Sequence, residues 1–125
     1  FDNALAHQIE AGCDMFLMPS KYEPCGLNQL YSFRYGTIPI VRATGGLADT
    51  VSPFEEKKGT GFRFTNYAFR EMVAAIRQAL AVYADPARWQ PLMLRAMSQD
   101  WSWNRSAVEY VKLYRSIRSR RHPGN

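Results

Sequence analysis

The sequence predicts an α/β fold in which short parallel strands alternate with helices. Three short apolar segments have the length and composition of strands, and residues at helical spacing lie before, between and after them. Such alternation is typical of a parallel sheet with right-handed crossovers, which helices normally cover on both faces. Because three strands are few for such a sheet, we interpret the chain as the second half of a doubly wound domain, without its first strands.

The first part of the chain predicts two helices around one strand. Ala4–Ala11 is predicted to be the end of a helix, with Gly12 as its cap. The apolar run Met15–Met18 is predicted to be a short buried strand. Gln29–Tyr35 is predicted to be a helix that Gly36 closes.

A second strand and a glycine turn are predicted next. Thr37–Arg42 is the strand, and Pro39 indicates either an edge strand or a strand start, because proline cannot donate to a ladder. Thr44–Val51 is predicted to be a glycine turn that leads into a short helical or extended piece.

The second half of the chain predicts a loop, a third strand and three helices. Ser52–Gly59 is the polar loop, and the alternating segment Gly61–Phe64 is the strand. Apolar residues at helical spacing predict the three helices. They cover about Phe69–Ala84, then Arg88–Ser98 after the break at Asp85-Pro86, and a last helix that Ser102 caps, with Ala107, Val111, Tyr114 and Ile117 on one face.

Composition places the chain among globular proteins of one small domain. It has 125 residues, of which 46% are hydrophobic and 14% aromatic. No apolar run approaches the ~20 residues of a membrane helix, and no signal peptide is visible at the start. We therefore expect no membrane partner and a cytoplasmic location.

Charge and cysteine content suggest no further partner. The net charge is +5, and Arg115, Arg118, Arg120 and Arg121 fall in the last eleven residues. This could be a nucleic-acid tail or a solvated terminus; we favour the second and expect no nucleic acid, because no aromatic residues are interleaved with these arginines. Cys13 and Cys25 lack metal-ligand spacing, and Cys13 is predicted to be a reduced core thiol.

The segment Pro19–Leu30 has the features of an anion-binding site. It joins a predicted strand to a predicted helix start, where the first N–H groups lack a partner within the chain. Gly26 would let a ligand approach the backbone closely. Glu23 adds a carboxylate, which suits sugar hydroxyls or developing positive charge on a sugar better than it suits a phosphate alone.

Three motifs resemble a known family. Glu23–Tyr31, Tyr35–Pro39 and Arg42–Val51 are similar, in this order, to the C-terminal part of bacterial glycogen synthases and plant starch synthases. The similarity extends over nearly the whole chain.

The resemblance implies a GT-B glycosyltransferase with two Rossmann-like domains and a cleft between them. Its implied activity is transfer of glucose from ADP-glucose to the non-reducing end of an α-1,4-glucan, with retention of configuration. Residues 1–100 would form part of the donor-nucleotide-binding domain. Residues 101–119 would form a helix that crosses back to the missing N-terminal domain, and residues 120–125 a tail. As a fragment, the chain is expected to be inactive alone.

The resemblance also assigns donor-site roles. Glu23 matches the glutamate that contacts hydroxyls of the transferred glucose, where a fixed carboxylate favours an oxocarbenium-like transition state. The turn whose backbone N–H groups meet the distal phosphate of ADP is matched by Cys25, Gly26, Leu27 and Asn28. This role uses the main chain, so the Cys25 thiol is not predicted to be a nucleophile.

Other matches leave alternatives open. Phe1 matches an aromatic position that stacks on adenine, or it is an ordinary core phenylalanine. The second glycine turn at a strand end is Thr44, Gly45 and Gly46, which either contacts the donor or is only a tight turn. His7 matches a recurrent histidine that we expect to be hydrogen-bonded and structural.

One position departs from related enzymes. Many retaining glycosyltransferases carry a second glutamate eight positions after the first, which holds the ribose, and this chain has Tyr31 there. The ribose contact is therefore left open. No metal, cofactor or covalent enzyme intermediate is expected, since the chain has no Asp-x-Asp motif and no His/Cys cluster. The alternatives are a non-catalytic nucleotide-binding fragment and a related enzyme that uses UDP-glucose or a sucrose-type reaction.

Overall fold

A three-stranded parallel sheet forms the centre of the protein. The computed structural model describes residues 2–121, with side chains to residue 118. Its elements are α1 Asn3–Gly12, β1 Met15–Met18, α2 Asn28–Tyr35, β2 Ile38–Arg42, α3 Gly45–Thr50, β3 Phe62–Phe64, α4 Phe69–Tyr83, α5 Pro86–Met97 and α6 Trp103–Arg121. The predicted α/β architecture is confirmed, and Thr44–Val51 proves to contain a helix.

The strands lie in the order β1-β2-β3, and both pairs are parallel. Met15 pairs with Ile38, whereas the ladder to β3 begins only at Ile40, opposite Phe62. Pro39 therefore lies near the start of the central strand, one residue before Ile40, where the pairing with β3 begins. The strand-start alternative is correct and the edge alternative is wrong.

The hydrophobic core surrounds the central strand. Ile38 and Val41 are both fully buried. Because they are three residues apart, their side chains point to opposite faces of β2, so both faces are covered. Helices α2, α5 and α4 pack side by side, and each of them contacts β2. This burial on both faces is typical of a central strand in a parallel sheet.

Local signals fix most helix ends. Asp2 caps α1 by accepting a hydrogen bond from the Leu5 N–H at 3.0 Å. Gly36 closes α2 in the left-handed conformation, at φ 77°, as predicted. Asp85 is the N-cap of α5 and Pro86 its first residue, so this pair begins a helix as well as ending one.

Two expectations for the start of the chain are wrong. Gly12 is the last residue of α1 rather than its cap, because Cys13 takes the extended C-cap position. Cys13 is exposed and is not a core thiol, since it lies in the turn where the chain leaves α1, before the sheet begins. β1 is only partly buried, with Leu17 42% exposed, because no strand of the described chain pairs with its outer edge.

The last helix buries very little. From Trp103 to Arg118 every side chain is exposed except Ser106, which is half-buried. The residues that helical spacing places on one face, Ala107, Val111, Tyr114 and Ile117, are therefore all exposed within the described part of the chain. None of the helices in the described range is long and apolar enough to span a membrane. The predicted tail, residues 120–125, lies outside the described side chains.

Candidate functional site

Two turns lie at the same edge of the sheet. The segment with Glu23 follows β1 and leads into α2, and the segment with Thr44 follows β2 and leads into α3. Since β1 and β2 are neighbouring parallel strands, their carboxyl ends share one edge, where ligands bind in open α/β sheets. The predicted position of both turns is confirmed, whereas their part in binding stays a prediction.

The two turns are in direct backbone contact. A Cβ atom added to Gly45 would lie 1.9 Å from the carbonyl oxygen of Glu23, and one added to Gly46 would lie 1.9 Å from that of Cys25. The N–H of Gly46 donates to the Pro24 carbonyl at 3.3 Å. Gly45 also has a φ of +44°. Both glycines are therefore required for the second turn to pack against the first.

Unpartnered N–H groups are concentrated at the start of α2. Among the described residues, those of Cys25, Gly26, Leu27 and Asn28 donate to no protein acceptor. Leu27 is the N-cap, and no side chain caps the helix. Three of these four residues are exposed, and Gly26 is half-buried. Such a helix start carries partial positive charge and suits an anion.

The Glu23 carboxylate has no hydrogen-bond or ion-pair partner among the described residues. Its side chain is half-buried, and within residues 2–121 it accepts no hydrogen bond and forms no ion pair. A partly buried carboxylate without a protein partner is available to a ligand. It lies two residues before the turn that holds the free N–H groups.

Sequence reasoning missed Gln29, which anchors the first turn. Its side chain is completely buried. Its Nε2 donates to the carbonyls of Cys25 at 3.2 Å and Gly26 at 2.9 Å, and to Thr50 Oγ1 at 3.2 Å. It thus joins the turn to α3. The sequence feature that could have indicated this role is a polar residue at a position that faces the core.

Arg42 was also missed. It ends β2, and its Nη1 donates to the carbonyls of Ser20 at 3.3 Å and Lys21 at 2.6 Å. Its guanidinium lies 5.7 Å from the centre of the Tyr67 ring. The signal was a charged residue at the carboxyl end of an otherwise apolar strand. Tyr67 also lines an apolar pocket of about 310 Å³, which lies between the ends of β1 and β3.

A small pocket separates α1 from α2. It has a volume of about 100 Å³, and its lining includes His7, Glu10, Asn28 and Tyr31. His7 Nδ1 lies 3.1 Å from the Tyr35 hydroxyl, so the expectation of a hydrogen-bonded histidine is confirmed. Phe1, predicted to stack on adenine or to be a core residue, lies outside the described residues.

Glu10 is the buried charge of this region. Its side chain is 6% exposed, and its Oε2 has no hydrogen-bond partner among the described residues. Burial raises the pKa of the Glu10 carboxyl above its ordinary value, and the charge of His7 opposes part of this shift. No group of three or more His, Cys, Asp or Glu side chains that could hold a metal occurs in residues 2–121.

Comparison with known proteins gives consistent matches. The model of the family "Glycosyl transferases group 1" matches residues 2–91. A glycogen synthase of Koribacter versatilis is 55% identical over an alignment of 125 positions, which covers 98% of this chain and 26% of that protein. A glycogen synthase of Anaeromyxobacter sp. strain Fw109-5 is 57% identical over 118 residues, covering 94% of this chain and 25% of that protein.

A solved structure is similar as well. It is the catalytic domain of starch synthase IV from Arabidopsis thaliana bound to ADP and acarbose. It superposes with a TM-score of 0.83 and 39% identity, over 93% of this chain and 25% of the other. The chain thus spans about a quarter of the length of the curated relatives that it matches.

Proposed function

Because the chain belongs to the group 1 glycosyl transferases, we propose that it forms part of the donor site of a glycogen or starch synthase. The whole protein transfers glucose from ADP-glucose to the non-reducing end of an α-1,4-glucan, with retention of configuration. The observation that carries this proposal is the backbone contact between the two turns, which holds residues 23–25 at the carboxyl edge of the sheet, in the same segment as the unpartnered N–H groups.

The turn and the carboxylate contact different parts of the donor. The N–H groups of residues 25–28 and the positive end of the α2 dipole hold the distal phosphate of ADP. Glu23 contacts hydroxyls of the glucose ring and favours the positive charge that develops on it. The bond from glucose to ADP breaks and ADP leaves, while the new bond forms to the terminal hydroxyl oxygen of the glucan, whose proton passes to the departing diphosphate.

The chain does not carry this reaction alone. We propose that the other three quarters of the protein contain the acceptor-binding domain and the basic residues that grip the donor phosphates. α6, whose described side chains are almost all exposed, is proposed to cross back to that domain. The protein is expected in the cytoplasm, or in the plastid of a plant.

Glu23→Ala tests the assignment in the full-length protein. The kcat with ADP-glucose should fall ~10²–10³-fold, since one donor-site interaction of this kind contributes about 3–4 kcal/mol to the transition state. Inhibition by ADP should change little, because Glu23 is assigned to the sugar and not to the nucleotide. Glu55→Ala is the matched control, because Glu55 is an exposed carboxylate in the loop before β3, away from the carboxyl edge. An unchanged kcat for Glu23→Ala would refute the assignment.

A donor comparison separates this proposal from its alternatives. The full-length protein should elongate a glucan faster with ADP-glucose than with UDP-glucose at equal concentration. The opposite preference would favour a UDP-glucose enzyme. Binding of ADP without any transfer would favour a non-catalytic nucleotide-binding protein.

A further inference from the structure

The segment between β1 and Glu23 forms few hydrogen bonds with the rest of the described chain. Residues 19–22 belong to no helix or strand, and Tyr22 is 77% exposed. Outside the sheet ladder, the two bonds from Arg42 are the only hydrogen bonds to these four residues that occur in the described part of the chain. We call residues 19–23 the glutamate arm, because they carry Glu23.

Arg42 is well placed to hold the glutamate arm. It belongs to the central strand, opposite Phe64 of β3, and four of the five residues of that strand are buried. Its guanidinium lies beside the Tyr67 ring, and its Nε is buried without a partner in the described range. A planar guanidinium that is fixed on a rigid strand can donate to two carbonyls in one defined direction.

We propose that Arg42 is a positioning residue of the donor site, which places Glu23 by holding the main chain two and three residues before it. This inference rests on the proposed function. Arg42 does not touch the donor; it acts through the carbonyls of Ser20 and Lys21. Two residues beyond it, Thr44 begins the second turn, so the end of β2 positions both sides of the site.

The N–H groups of the first turn do not depend on Arg42. The Pro24 carbonyl is held by Gly46, and those of Cys25 and Gly26 are held by Gln29. Loss of Arg42 should therefore loosen the glutamate arm up to Glu23, whose carbonyl still lies against Gly45, while the phosphate-binding turn stays in place. Since Glu23 acts mainly in the transition state, the damage should appear in kcat and not in KM.

Arg63 provides a matched control. It lies on β3, and its Nη1 also donates to two backbone carbonyls, those of Ala48 and Val51, at 3.1 Å each. These carbonyls are at the end of α3 and not on the glutamate arm. Arg42→Met and Arg63→Met remove the same kind of interaction, so a general loss of stability should affect both variants.

The kinetic test uses the full-length protein with ADP-glucose and glucan. Arg42→Met should lower kcat ~10–100-fold, as expected when a catalytic group is displaced by about 1 Å. The KM for ADP-glucose and the inhibition by ADP should stay within about threefold, and Arg42→Lys should recover part of the rate. Arg63→Met should keep kcat within about threefold. Equal losses of kcat in the two methionine variants would overturn the proposal.

A second measurement does not depend on activity. Lys21 lies in the glutamate arm, so trypsin cleavage after Lys21 reports how often the arm leaves its place. Arg42→Met should accelerate this cleavage ~10-fold, and Arg63→Met should not. Unchanged cleavage in Arg42→Met, or equal acceleration in both, would overturn the proposal. If the wild-type protein transfers no glucose, the proposed function fails, but the cleavage rates still decide whether Arg42 holds the arm.

Discussion

Single residues decide how closely the two turns approach each other. Gly46 is buried, and its Cα faces the Cys25 carbonyl at a distance that leaves no room for a side chain. The second turn therefore supports the first through main-chain contact, and the glycines are needed for the protein's own packing. Sequence reasoning had left open whether these glycines serve a ligand or only a turn.

Gly46→Ala should damage both stability and the donor site. The new Cβ would lie 1.9 Å from the Cys25 carbonyl oxygen, so one of the turns must move. We expect the free energy of unfolding to fall by about 1–3 kcal/mol, as for overpacked sites, and ADP binding to weaken. Denaturant unfolding and calorimetric titration with ADP measure the two effects.

Gly12→Ala is the control for that change. A Cβ at Gly12 meets nothing within 4 Å, and the residue ends α1 without a positive φ. Its stability should be unchanged or slightly higher, because alanine is the better helix former. Equal destabilisation by both substitutions would contradict the role given to Gly46.

Glu10 should make stability depend on pH. Its pKa is raised by burial, so the ionised carboxylate destabilises the folded state at pH values above that raised pKa. Glu10→Gln should therefore stabilise the protein at neutral pH, by about 1 kcal/mol. The gain should shrink as pH falls through the raised pKa, because the carboxyl of the folded state becomes protonated there. It should vanish below the ordinary pKa of 4.5, where the wild-type carboxyl is protonated in both states.

Unfolding experiments across this pH range test the Glu10 prediction. Glu55→Gln is the control, because the Glu55 side chain is exposed and should show no such trend. A gain from Glu10→Gln that is the same at every pH would show that the buried charge is not its cause.

At the scale of elements, α2 has a capped C-terminal end and an uncapped N-terminal end. Gly36 satisfies the carbonyls of Ser32 and Phe33 at its end. At its start, the described residues offer neither a capping side chain nor a partner for the first N–H groups. The buried Gln29 fixes that start against α3. A helix that is anchored but uncapped is well suited to bind an anion.

α6 should make the isolated chain associate. It exposes a large apolar surface, for example Val111 at 45%, Tyr114 at 63% and Ile117 at 49%. Contiguous apolar surface of this kind binds other proteins or other copies of the chain. We expect light scattering to show a mass above 14.3 kDa, and a hydrophobic dye to bind.

Substitutions on opposite faces of α6 test the cause of this association. Tyr114→Glu should reduce it, whereas Lys112→Glu, which adds a carboxylate on the opposite side of the helix, should not. A monomer that does not change with dilution and binds no dye would show that α6 needs no partner.

For the whole molecule, the comparisons confirm the resemblance to glycogen and starch synthases and the GT-B fold class. The chain supplies one wall of the proposed donor site, with free N–H groups and one carboxylate. We propose that basic residues outside the chain neutralise the remaining phosphate charge. With the phosphate charge stabilised in this way, we expect that no bound metal ion is needed.

The full-length protein should therefore keep full activity in excess chelator. Helix N–H groups and basic side chains can stabilise a leaving diphosphate without a divalent ion. Glucan elongation from ADP-glucose, measured with and without EDTA, is the test. Loss of activity that a divalent cation restores would contradict the prediction.

The sequence by itself determined the order and type of the elements and the place of the turn that we propose binds the donor. Local chemistry is sufficient for this: the apolar run Met15–Met18 makes a strand, Gly36 ends a helix, and an uncapped helix start after a strand makes an anion site. Three motifs in order, Glu23–Tyr31, Tyr35–Pro39 and Arg42–Val51, are sufficient to indicate the family. The errors concern a helix end at Gly12 and the exposure of Cys13, both of which depend on the path that the chain takes after α1.

Only the tertiary structure decided which residues hold the site together. The contact of Gly46 with Cys25, the bonds from Gln29 to Thr50 and those from Arg42 to the glutamate arm join residues about twenty positions apart. No local pattern encodes such pairs, because they arise when two neighbouring parallel strands bring their carboxyl ends together. For α6, helical spacing predicts an apolar face but not what covers it, and the resemblance implied that its cover is a domain outside this chain.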